Sequence, residues 1–159
     1  MGIIGMFVVV FSALAVVAAL ADQTNGNGKT FLGNSFGFNA KDDLTGEANY
    51  HFTDVNNNAV DMHCSGYSLY ISSTTPNGLY PRSIVKSETC VNKDTDEALT
   101  MRAEFVDRGE PGADRDKVCI RVNDSNGMLL ILDCGRIQKG NVQIHGPETT
   151  FGNAPTLTQ

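Results

Sequence analysis

Four carboxylates crowd into ten residues of this chain, Asp107-Arg108-Gly109-Glu110-Pro111-Gly112-Ala113-Asp114-Arg115-Asp116, and a short oxygen-rich turn of that kind suits a hard cation. Asp107, Glu110, Asp114 and Asp116 are the candidate ligands, and calcium, which takes about six to eight oxygens, is the ion they would hold. The D-x-[DN]-x-[DN]-G frame of an EF-hand is absent, and Arg108 and Arg115 can satisfy the same carboxylates as ordinary ion pairs. A structural hairpin loop is therefore the favoured reading of the segment, with calcium the one cofactor the sequence admits.

Other chemistry is harder to assemble. His51, His63 and His145 lie far apart without an H-E-x-x-H pattern, and no serine sits in a G-x-S-x-G elbow. Glu47 and His51 share one face of a strand, where polar residues are usually only solvated, so they make a weak acid/base pair. We expect no catalytic residues, and the sequence names no ligand-binding residue. Asn123-Asp124-Ser125 fits a glycosylation sequon but is explained equally by an Asn-rich turn. Cys64, Cys90, Cys119 and Cys134 form no C-x-x-C pair, and His63 beside Cys64 would point to the opposite face of a strand, which argues against zinc.

The elements that carry these residues read as strands. Apolar residues recur every second position in Leu44, Gly46, Ala48, Tyr50 and Phe52, in Leu99, Met101, Ala103 and Phe105, and in Val118, Ile120 and Val122. Shorter versions occur at Phe36 and Phe38, Leu129 and Ile131, and Val142 and Ile144, while 59–72 and 83–91 supply two longer stretches. Asn126-Gly127 is a strong hairpin signal of the type I′ kind, and Cys119 and Cys134 are equidistant from it. Cys64 and Cys90 are likewise equidistant from Asn77 in the turn Thr75-Pro76-Asn77-Gly78-Leu79. The spacing predicts bridges Cys64–Cys90 and Cys119–Cys134, with buried free thiols as the alternative. A shift of inward parity between Met62 and Tyr67 calls for a bulge near Cys64 to Gly66.

The compartment is written at the start. No charge occurs from Ile3 to Ala21, and Ala19-Leu20-Ala21 before Asp22 is a small-x-small cleavage pattern, so residues 1–21 read as a signal peptide. An uncleaved anchoring helix is the alternative, because no Lys or Arg precedes the apolar run. Residues 22–32 read as a flexible polar leader, 33–147 as one β-domain and 148–159 as a C-terminal tail. The formal charge of −6, with Lys and Arg scattered along the sequence, speaks against nucleic acid and against an anionic membrane surface as partners. An even cysteine number in an exported chain favours disulfides and a secreted or cell-surface location.

The segments Phe36-Gly37-Phe38-Asn39-Ala40 with Leu44-Thr45-Gly46-Glu47, then Asp107 to Asp114, then Gly140-Asn141-Val142-Gln143-Ile144-His145, occur in this order. Together they resemble the post-COAP type β-domain of bacterial secreted and surface proteins, over roughly residues 33 to 147. The resemblance implies a compact antiparallel β-domain outside the cell and no catalytic residues. The cysteines and Arg136-Ile137-Gln138-Lys139 depart from the family's usual pattern.

The expected architecture is all-β, with about eight antiparallel strands in a small barrel and a two-sheet sandwich as the alternative. The expected role is a secreted, non-enzymatic module with a structural or adhesive function at the cell surface. A small hydrophobic-ligand carrier of lipocalin type, lined by Phe36, Phe38, Tyr50, Phe52 and Phe105, is the alternative. Self-association by addition of the leader to a neighbour's sheet edge is a further possibility.

Overall fold

The computed structural model describes residues 22–146; the expected signal peptide and C-terminal tail lie outside them. Ten strands follow one another: β1 (Gln23–Lys29), β2 (Ser35–Lys41), β3 (Gly46–Thr53), β4 (Ala59–Ser65), β5 (Leu69–Thr74), β6 (Pro81–Asn92), β7 (Ala98–Val106), β8 (Lys117–Asp124), β9 (Leu129–Arg136) and β10 (Lys139–His145). They form one antiparallel sheet in the order β10-β1-β2-β3-β4-β6-β7-β8-β9, with β5 beside β6, curled into a half-barrel. No helix occurs among the described residues. The all-β expectation holds, with ten strands in place of about eight and a curl that leaves β9 and β10 as sheet ends.

One added strand comes from splitting 59–72 into β4 and β5, which run along successive halves of the long β6. The chain breaks pairing at Gly66, whose φ of 79° directs Tyr67 back into the core. That break is the expected parity shift, and β6 answers it with a register slip between Ser87 and Cys90.

The other added strand corrects the leader. Residues 23–29 are not a mobile linker but β1, hydrogen-bonded to β10 on one side and β2 on the other, so the domain begins well before residue 33. Asn and Gly are poor strand formers, yet here tertiary packing decides. Gly26 lies opposite Phe38, and a Cβ on it would stand 2.6 Å from the Phe38 ring. A segment locked on both sides in its own sheet is also not available to add to a neighbour's edge.

Four hairpins share one turn. The β1–β2, β2–β3, β3–β4 and β8–β9 connections each close three residues, with Gly33, Leu44, Asn57 or Gly127 at positive φ in the last place. This is the type I turn followed by a left-handed residue. The type I′ expectation at Asn126-Gly127 is therefore corrected: Gly127 N–H donates to Asp124 O, and only Gly127 of the pair has positive φ. The three-residue loop displaces the register by one, and the slip after Val122 restores it, which is why Cys119 still faces Cys134.

The concave face holds the core. Phe38 stacks on Phe105 with ring centroids 3.7 Å apart, and Tyr50 stacks on Phe52 at 4.9 Å. Met62, Leu99, Met101, Ala103, Val118, Ile120 and Val122 complete it, all buried. One cross-strand row reads Phe38, Ala48, Cys64, Cys90 and Leu99, so the Cys64–Cys90 bridge is itself a core residue pair.

Candidate functional site

The acidic segment between β7 and β8 folds against the free side of β10. Asp116 is fully buried and accepts the Arg108 N–H at 2.8 Å with one oxygen and the Val142 N–H at 2.9 Å with the other. Asp107 accepts the Gly109 N–H at 2.8 Å and the Ile144 N–H at 3.2 Å. Glu110 accepts from the side-chain amides of Asn141 and Gln143 at 2.5 and 3.0 Å. Edge strands expose unpaired N–H groups, and here two carboxylates cap them. Gly112 makes the approach possible, since a Cβ there would lie 2.0 Å from Asn141 Oδ1 and 2.1 Å from Asp116 Oδ2.

These contacts spread the four candidate calcium ligands along the loop and do not gather them around one point. The oxygens of Asp107, Glu110 and Asp116 point to separate donors along β10, while Asp114 is exposed at a φ of 61° and uses its backbone N–H on Ile137 O. Among the described residues no group of three or more His, Cys, Asp or Glu is placed to hold a metal ion. Burial raises the Asp116 carboxyl above its ordinary value against the pull of its two N–H donors. The amides of Gln143 and Asn141 hold Glu110 below its own.

A second buried carboxylate escaped sequence reading. Asp133 on β9 points inward and accepts three hydrogen bonds on one oxygen, from Thr30 Oγ1 at 2.6 Å, Asn34 Nδ2 at 2.7 Å and Tyr50 Oη at 2.8 Å. Desolvation, then the Asp133 charge, pushes the Tyr50 phenol well above the ordinary tyrosine range, so it stays a donor. The cluster ties β9 to the β1–β2 turn and to β3. Its sequence signal is an acid at an inward position of an alternating strand.

The convex side of β6 to β9 carries a cavity of about 680 Å3, walled by the β5–β6 turn. Its floor is Glu104, Val106 and the Cys119–Cys134 bridge, and its cations are Arg108, Lys117 and Arg136. Glu104 bonds the buried Arg82, Nε to Oε1 at 2.8 Å, and the Arg108 guanidinium lies over the Tyr80 ring at 4.6 Å. The two disulfides thus sit on opposite faces of the sheet: Cys64–Cys90 is sealed in the core, and Cys119–Cys134 lines the cavity.

The remaining expected pairs are structural. His51 lies 3.2 Å from Asp61 across the β3–β4 pair, not in a joint site with Glu47. His63 Nδ1 meets Asn49 Oδ1 at 3.1 Å, and its neighbour Cys64 is engaged with Cys90. Comparison with protein-family models, with curated proteins and with solved structures finds no match for this chain.

Proposed function

We propose that this chain is a secreted, non-enzymatic β-module with a structural or adhesive role at the cell surface. The observation that carries this reading is how the chemistry-bearing residues are used. The buried acids Asp116, Asp133 and Glu104 each bond backbone or side-chain donors that fasten one strand to another. The aromatic set that a hydrophobic-ligand carrier would leave open is stacked upon itself, Phe38 on Phe105 and Tyr50 on Phe52. What such a molecule offers is its surface. Two disulfides agree with an oxidising, extracellular environment.

The test is export followed by adhesion. Full chain expressed in a secreting bacterium should appear in the medium beginning at Asp22, with both bridges formed by intact mass, and should co-sediment saturably with washed bacterial cells. Retention in the cytosol with four reactive thiols, or secretion without any cell association, would overturn the proposal.

A further inference from the structure

Cations that look scattered in sequence are gathered by strand register. Of the twelve Lys and Arg in the chain, Arg82, Lys86, Arg102, Lys117, Arg121 and Arg136 fall on the convex face of β6 to β9. Two rows result. Lys86, Arg102 and Arg121 stand opposite one another in the first, and Arg82, Val106, Lys117 and Arg136 in the second. Glu104 bonds Arg82, and Glu88 bonds Lys86.

Like charges directly opposite on neighbouring strands destabilise a sheet. Lys117 faces Arg136, in a chain that has 18 acidic residues to place and a formal charge of −6. A local cost of this kind, kept on one face, marks a surface shaped for something outside the fold. The second row runs into the cavity of about 680 Å3, within the roughly 300–1,000 Å3 typical of small-ligand sites. Arg108 adds a third cation there, and the Asn77 amide and Tyr80 phenol stand in the wall. Anions in a cleft with low-dielectric walls are held more strongly than on open surface.

We propose that this cavity and the cationic rows leading into it bind an acidic polysaccharide, with Lys117, Arg136 and Arg108 on its carboxylate or sulfate groups and Asn77 and Tyr80 on its hydroxyls. The idea rests on the reading of the chain as a surface-binding module and gives that module its ligand class. Nucleic acid fits less well. DNA carries one charge per roughly 1.7 Å, a density that an acidic body repels more than a polymer charged once per sugar unit. Single strands also need aromatic platforms for their bases, and the Tyr80 ring is covered by Arg108.

The experiment uses purified full chain with both bridges formed, titrated by calorimetry with dextran sulfate, polygalacturonate, neutral dextran and a thymidine oligonucleotide. Binding to dextran sulfate, polygalacturonate or both is expected, with none to neutral dextran, and the preferred polymer tells whether sulfate or carboxylate is the natural group. Lys117→Ser/Arg136→Ser, two exposed strand positions, should weaken that binding at least tenfold, as should Arg108→Ser to a lesser degree. Lys41→Ser/Lys93→Ser, removing equal charge elsewhere, should change it less than twofold. Circular dichroism and intact mass establish that each variant is folded and bridged. No binding to either acidic polymer, equal loss in both double variants, or tighter binding to the oligonucleotide would overturn the proposal. Adhesion to cells that survives Lys117→Ser/Arg136→Ser would sink the polysaccharide site while leaving the module reading intact.

Discussion

Asp116 shows how much one side chain decides here. Both of its oxygens are engaged by backbone N–H groups, from Arg108 in its own loop and from Val142 on β10. An asparagine offers one acceptor and turns an NH2 toward the second N–H, leaving a buried donor without a partner. Asp116→Asn should therefore cost roughly 1–3 kcal/mol in urea denaturation. Asp114→Asn, two residues away in the same acidic cluster but exposed, should stay within about 0.5 kcal/mol. The density of carboxylates in this loop was plain in the sequence, and their use was not. A metal site and an edge cap draw on the same residue types, and only the position of β10 separates them. The same holds for Arg82 and Glu104: alternation places them outward, and nothing local tells that they are buried against each other.

Among the elements, alternation of apolar residues located most strands, because a half-buried strand must alternate. It failed at β1, where Thr24, Gly26 and Gly28 form the inward set and carry almost no apolar signal. Their smallness is complementary to Phe36 and Phe38 on β2, directly opposite Gly28 and Gly26. That signal belongs to two strands at once and is invisible to a reading of either alone. The cysteine pairings were legible for a similar reason in reverse, since equal spacing from a turn survives compensating slips of one residue. The faces of the sheet then distinguish the bridges. Cys64 and Cys90 are buried in the core, whereas Cys134 is half-exposed at the cavity. Stepwise reduction with trapping by iodoacetamide should open Cys119–Cys134 first, with Cys64–Cys90 resisting until the fold is lost. Removing either bridge by paired alanines should cost about 3 kcal/mol, the loss expected for closing loops of this size.

The whole molecule is a sheet whose first and last strands are neighbours. Gln23 sits opposite His145, and a Cβ on Gly146 would lie 2.0 Å from the Asp22 carboxylate. A linker of a few residues from Gly146 to Asp22 can thus join the ends, with new termini opened between Asp94 and Thr95 in the exposed β6–β7 turn. This circular permutant should fold with both bridges and the far-UV spectrum of the parent, and a permutant without cooperative unfolding would contradict the adjacency of β1 and β10. A body entered and left at one point is a natural insert: spliced into a surface loop of a larger polypeptide, it would hang there as a side-branch, with neither flank of the host pulled apart.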